Sequence, residues 1–234
     1  MSRAEFKPSV RPSIIPPLEA GDRLSRAEFE RRFDATPGLK KAELIEGVVF
    51  MPPPVSHSSH SEPHTSLIGL IFTYRAATPG TTIGADGSVR LDLDNMPQPD
   101  VLLMIAHECG GQARISEDDY VTGAPELVAE VASSSVSFDL HAKFNIYRRN
   151  GVKEYLVWRT KDRQIDQFVL QAGEYQLVSP DASGVLRSEV FPGLWIDRHA
   201  LLGGALTHAI ATLQLGLASP EHAAFVETLQ KNKR

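Results

Sequence analysis

Cysteine is almost missing from this 234-residue chain. Its one thiol, Cys109, excludes an internal disulfide framework and fits a reducing cytoplasm. No apolar run near the N-terminus has the form of a signal peptide. The longest apolar stretch, ALLGGALTHAIATLQLGLA, is interrupted by His208 and Gln214, and its apolar residues recur at helical spacing. It reads as an amphipathic helix, so no membrane partner is expected. Repeats and low-complexity tracts are absent. GGQARISEDDY has neither the lysine nor the following Ser/Thr of a nucleotide-phosphate loop, so no organic cofactor is implied. HECGG, at 107–111, reads as a loop cysteine. His57, His60 and His64 have no cysteine beside them, and the serines and Pro63 around them read as the lead-in to a helix rather than a zinc site.

Charge is present but unevenly spread. The net charge of −5 argues against general nucleic-acid binding. Residues 141–164, however, hold seven Lys or Arg against two acids. A basic face on an acidic body can meet phosphates locally; an ordinary solvated surface would look the same.

Four prolines in KPSVRPSIIPP suggest an extended or disordered leader over 1–22. LSRAEFERRF then starts a helix with Ser25 as N-cap and Glu28 completing a capping box. Gly47 reads as a hairpin turn in KAELIEGVVFMPPP. SEPHTSLIGLIFTYRAATPG is a helix with Leu67, Ile71 and Tyr74 on one face. Three strands follow, TTIGAD, SVRLDLD (alternating through Val89, Leu91 and Leu93) and PDVLLMI, then a polar loop over 107–124. PELVAEVAS and KEYLVW are strands joined by a helix, SFDLHAKFNIYRRNG, stopped by Gly151. A hairpin turns at Ala172-Gly173. Two helices, near 198–215 and 219–231, close the chain. The order predicts an α/β fold: a mixed sheet with helices packed on it, VLLMI in its interior and the 136–150 helix as a crossover.

The acids inside the strands are what call for explanation. Period-2 alternation in PELVAEV puts Leu127, Ala129 and Val131 on one face and Glu126, Val128 and Glu130 on the other. Asp100 opens VLLMI after Pro99. An antiparallel pairing would bring Asp100 beside Glu130, and two such carboxylates repel unless a cation or proton lies between them. Mg²⁺ suits hard oxygen ligands. Equally, Asp100 can cap a turn and Glu130 can pair with a surface arginine. On a straight helix with Leu140 at zero, Lys143 falls at about 300°, Tyr147 at about 340° and Phe144 at about 40°. Lys143 therefore flanks the buried stripe. There it can orient a water or steady phosphate charge, or simply pair with Asp139 at i,i+4.

QPDVLLM, GAPELVAEVASSS and DLHAKFNIYRRNGVKEYLVW, taken together with AELIEGVVFMPPPVS, HSEPH and VFPGLWID, resemble the Uma-type restriction endonuclease family of bacteria, within the PD-(D/E)XK nuclease superfamily. The likeness runs over roughly 25–203. It implies a restriction-endonuclease-like core, a mixed four-stranded sheet flanked by helices, over 23–203, with 204–234 as a helical extension packed on it. It also implies Mg²⁺- or Mn²⁺-dependent hydrolysis of DNA phosphodiester bonds. Asp100 and Glu130 would be metal ligands, Glu43 an upstream acid able to join them, and His64 an auxiliary residue facing the site. The usual lysine two residues after the second acid is Ala132 here; Lys143 takes its role in the Uma-type pattern. Arg148, Arg149, Lys153 and Arg159 would bind the DNA backbone. A homodimer is left open. The rival reading is a nuclease-fold module that no longer cuts and serves for binding or scaffolding.

Overall fold

The computed structural model describes residues 15–233. Of the expected leader, residues 1–14 lie outside the described residues. The rest does not stand apart from the domain: Leu18 is buried beside Phe29, Leu44 and Val49, and the main chain of Gly21 donates to Val49.

The first part of the chain forms α1 (Arg26–Asp34), the hairpin β1 (Glu43–Ile45) and β2 (Val48–Phe50), and a π-helical turn at His57–Ser61 that runs into α2 (Glu62–Ala77). Next come β3 (Thr81–Ala85), β4 (Val89–Arg90), β5 (Val101–Ile105), β6 (Arg114–Ile115), β7 (Val121–Thr122) and β8 (Leu127–Ala132). The crossover helix over 136–150 comprises α3 (Val136–Phe138), a second π-turn at Asp139–Lys143, and α4 (Phe144–Asn150). The remainder is β9 (Glu154–Arg159), β10 (Gln164–Gln171), β11 (Glu174–Leu177), β12 (Val185–Arg187), β13 (Trp195–Asp197), α5 (Arg198–Leu202), α6 (Leu206–Leu217) and α7 (Pro220–Asn232).

The central sheet is mixed and six-stranded, in the order β11-β10-β9-β8-β5-β3, wider than the four strands expected. Its parallel pair is β8–β9, the two strands joined by the crossover helix. β5 lies between β3 and β8, which explains why VLLMI is apolar on both faces. Leu127, Ala129 and Val131 pack against α2, through Leu67, Leu70, Ile71 and Tyr74. Val128 and Ala132 face the other way, toward Ile146, Tyr147 and Tyr155. Ala209 and Leu213 of α6 join the first of these cores, so the C-terminal helices close over the α2 side. Among the described residues no helix is long and apolar enough to cross a membrane.

Several local expectations changed. The capping box is half made: Ser25 Oγ accepts from the Glu28 N–H, but the Glu28 carboxylate is held by Arg31 and Arg32. The β1–β2 turn places Glu46 and Gly47 at φ 52° and 72°, the left-handed pair that such a hairpin requires. SVRLDLD keeps only Val89–Arg90 as a strand, and Leu93 is exposed. Asp92 is the reason: its carboxylate accepts from the Asp94 N–H and from Asn95 Nδ2, folding the segment into a turn. The expected helix near 198–215 is broken between α5 and α6 at Gly203-Gly204. The polar loop at 107–124 contains a 3-10 turn at His107–Cys109 and the small strands β6 and β7.

Candidate functional site

β5 and β8 are antiparallel, with Val101 opposite Ala129 and Leu102 opposite Val128. One further step of that register sets Asp100 opposite Glu130. Both are buried, at the end of the sheet where β5 begins and β8 ends. The Asp100 carboxylate is fixed by the neighbouring strand: Oδ2 accepts from the Val131 N–H at 2.8 Å. Its Oδ1 lies 3.5 Å from Lys41 Nζ and 3.8 Å from His60 Nε2.

Glu130 lies under the crossover helix. Its Oε1 accepts from Lys143 Nζ and from the Tyr147 hydroxyl, each at 2.9 Å. Lys143 Nζ is also 2.9 Å from Glu43 Oε1 and 4.0 Å from Asp139 Oδ1. Glu43 arrives on β1, which is bridged to Met96, and its Oε1 accepts the Gln98 N–H at 2.7 Å. Asp139 accepts from the Ser135 hydroxyl. Lys143 is thus fully inside, a correction to the flanking position that a straight helix gives. Asp139, Lys143, Ile146 and Tyr147, spaced i, i+4, i+7 and i+8, form the buried stripe of this helix, and Lys143 lies near its middle, in the π-turn at Asp139–Lys143. Leu140 and Phe144, expected on the buried stripe, are only half-buried.

The electrostatics follow from burial. Four carboxylates (Asp100, Glu130, Glu43 and Asp139) gather near one enclosed ammonium. Burial pushes the Glu130 carboxyl well above the ordinary range, Lys143 pulls it back in part, and Asp100 raises it again. Burial would strip Lys143 of its proton, but Glu130 and Glu43 more than reverse this and hold its pKa well above the usual lysine value. Asp139 is raised by burial, partly offset by Lys143. The pattern is surplus buried negative charge, which favours the protonated form of Glu130.

The sequence does not single out Lys41, Tyr147 or His60 as parts of this site. Lys41 precedes Glu43 by two, the spacing that keeps side chains on one side of a strand, and its Nζ bridges Asp86 Oδ1 at 2.8 Å and Asp100. Burial lowers its pKa, but the hydrogen bond to Asp86 and the Asp100 charge leave it raised. His60 and His64 are four apart, one helical turn, which is the signal that was available. His64 Nε2 lies 2.8 Å from the Asp100 carbonyl and His60 Nδ1 2.8 Å from the Val131 carbonyl. One ligand atom each from His60, His64 and Asp100 lie within 4.8 Å of one another. His64 thus lies against the Asp100 main chain, and the helix lead-in brings two of the three histidines close to Asp100.

The basic residues are more scattered. Arg159 pairs across the sheet with Ala132, at the acid end, but its guanidinium is bound by Asp162, Asp166 and Gln164. Arg148 is held by Glu174, and Arg149 by Glu46, each at 2.9 Å. Lys153 stands at the opposite end of β9, about 13 Å along the strand from Val157, the partner of Glu130. The charge excess seen along the sequence is thus largely matched by acids brought in from elsewhere.

No curated protein matches the chain. Among solved structures, a crystal structure of a "putative nuclease belonging to DUF820" from Anabaena variabilis shares the fold, with a TM-score of 0.50 at 13% identity, covering 77% of this chain and 97% of that one. A family model described as "Putative restriction endonuclease", Uma2, matches residues 26–199. That span contains the central sheet, both π-turns, Lys143 and all four converging carboxylates, and the chain belongs to the Uma2 restriction endonuclease family.

Proposed function

We propose that the protein is a divalent-metal-dependent endonuclease that hydrolyses DNA phosphodiester bonds at the Asp100–Glu130 end of the sheet. One observation carries the reading. Glu43, Glu130 and Asp139 converge on the buried Lys143, and Asp100 stands opposite Glu130 by the register of β5 and β8. Asp100 and Glu130 would hold Mg²⁺ or Mn²⁺, with Glu43 as a third carboxylate. When bound, the cation supplies a more acidic water and offsets phosphate charge.

The chain's own residues do the rest. The Val131 N–H keeps one Asp100 oxygen in place, and the other lies toward Lys41 and His60. Tyr147 and Lys143 orient Glu130. Lys143 keeps its proton and sits between Glu43 and Glu130, placed to steady negative charge as it builds on the phosphate. Lys41, at the outer side of Asp100, is placed to meet a phosphate oxygen. Arg148, Arg149, Lys153 and Arg159 would serve the flanking backbone by exchanging their carboxylate partners for phosphates.

A second reading, a nuclease-fold module that binds without cutting, is favoured by Ala132 in the usual lysine position and by the internal pairing of the arginines. One experiment separates the two. Purified protein should nick supercoiled plasmid with Mg²⁺ or Mn²⁺ and stop on addition of EDTA. Cleavage indifferent to chelator would remove the metal mechanism, and no cleavage by a protein that still binds DNA would establish the second reading.

A further inference from the structure

The π-turn at His57–Ser61 brings His60 against the end of β8, where Nδ1 meets the Val131 carbonyl at 2.8 Å. A carbonyl only accepts, so Nδ1 carries the hydrogen and a neutral His60 has a bare Nε2. That Nε2 points at Asp100 Oδ1 across 3.8 Å. Two acceptors then face each other with no proton between them. The gap is long for a hydrogen bond but fits two ligands of one ion. Bonds near 2.1 Å set neighbouring donors about 3.0 Å apart at right angles and about 4.2 Å apart when opposite. His64 gives Nε2 to the Asp100 carbonyl at 2.8 Å, which leaves Nδ1 as its free nitrogen, and one ring nitrogen of His64 lies within 4.8 Å of ligand atoms of His60 and Asp100. Metal-binding imidazoles characteristically donate their second N–H to a carbonyl or carboxylate, which fixes ring and tautomer. Both rings meet that condition, and they stand one helical turn apart with centroids separated by 5.7 Å. Lys41 competes for Asp100 Oδ1 from 3.5 Å but is bonded more closely to Asp86, at 2.8 Å, so it has a position to withdraw to.

We infer that His60 and His64 join Asp100 as a mixed imidazole–carboxylate site that selects a transition ion of the Mn²⁺ to Zn²⁺ series over Mg²⁺. Mg²⁺ prefers oxygen donors and keeps its waters, whereas imidazole nitrogen raises affinity for Mn²⁺ modestly and for Co²⁺, Ni²⁺ and Zn²⁺ more. The site shares Asp100 with the proposed nuclease centre, but the inference concerns binding alone and is measured without cleavage.

The test uses the full chain, titrated with Mn²⁺ and with Mg²⁺ by calorimetry. Pulsed electron paramagnetic resonance of the Mn²⁺ complex reads nitrogen coupling directly. The expected result is coupling to imidazole nitrogen in the wild type and Mn²⁺ affinity about tenfold or more above that for Mg²⁺. His60→Gln should lose one nitrogen coupling and most of that preference, with Mg²⁺ affinity unchanged. The wild-type spectrum needs no variant, so a His60→Gln chain that fails to fold does not spare the idea. A Mn²⁺ complex without nitrogen coupling, or equal affinities for the two ions, would overturn it. Nitrogen coupling in a protein that never nicks DNA would sink the nuclease reading and leave this inference standing. Mg²⁺-supported nicking without imidazole contact would do the reverse.

Discussion

Strand β8 is flanked by a buried glutamate at its start and carries another near its end. At the start, Glu126 accepts from the Ile105 N–H at 2.9 Å and the Gln112 N–H at 2.8 Å, so it ties the 107–112 loop to β5. Beside it, Glu154 opens β9 and accepts from the Ser188 hydroxyl and the Glu189 and Val190 N–H groups. These two carboxylates need no cation, because oriented main-chain dipoles satisfy them. At the other end, Glu130 has a lysine, a phenol and three further acids nearby. PELVAEV and KEYLVW do not reveal this difference. A buried acid in a strand is no evidence of a metal; what its oxygens touch decides.

The contrast is broken most sharply by removing the acids at the Glu130 end. Asp100→Asn and Glu130→Gln should each reduce single-turnover cleavage by about 10³-fold or more at saturating metal, with circular dichroism unchanged. Equal loss from Glu126→Gln in a fully folded protein would erase the distinction between the two ends.

Lys143→Met comes next. It should reduce cleavage by about 10²-fold. It should also destabilise the chelated protein by about 3–5 kcal/mol, because it leaves the buried Glu43 without its counter-charge. Urea titration in EDTA measures the second effect. If Asp139→Asn matched Lys143→Met in both readouts, the weaker 4.0 Å pair would be the one that matters.

Stability should then separate the ends by sign. Glu126→Ala leaves two main-chain donors unsatisfied, at a cost of about 2–4 kcal/mol, while the cleavage rate per folded molecule holds. Glu130→Gln, by contrast, should be no less stable than wild type in EDTA, since it removes an acid that burial disfavours when charged. The pH dependence has the matching sign. The folded state keeps a proton on Glu130 at pH values where the unfolded chain has released it. Stability in EDTA therefore falls as pH rises above the ordinary value of 4.5. Glu130→Gln should flatten that part of the urea-midpoint profile, and Mn²⁺ should oppose the fall by displacing the proton.

The smallest effects belong to the paired arginines. Reversing Arg148 and Arg149 to Glu should change stability by under about 1 kcal/mol, since both pairs are at the surface. Lost phosphate contacts should lower the slope of log affinity against log salt by about 0.9 each. An unchanged slope would move the DNA face toward Lys41 and Arg159.

Much of the site was legible because it rests on strand geometry. Period-2 alternation placed Glu130 opposite Val131, and an antiparallel guess brought Asp100 to it. Three things were not. Asp92 turns a segment that alternates like a strand, because its side chain competes for the backbone. Arg148, Arg149 and Arg159 look free in the sequence because their acidic partners lie across turns and neighbouring strands. The burial of Lys143 is missed when the helix stripe is centred on Leu140 rather than on Asp139, Lys143, Ile146 and Tyr147, and His60 sits in a π-turn, which no regular period describes.

Those two turns have a consequence for how the protein can change. A π-turn is an inserted residue kept inside a helix, so it stores rotational phase. Deleting one residue, Ala142 for instance, would let the turn relax to α and rotate one side of the helix against the other by about 100°. No side chain with a proposed role would be altered, yet Phe138 and Asp139 would be turned away from the face that buries Lys143, Ile146 and Tyr147. Substitution scanning, which holds length fixed, cannot detect this dependence. Deletion scanning through 139–143 and 57–61 can, and there the gap, not the replaced letter, is the informative mutation.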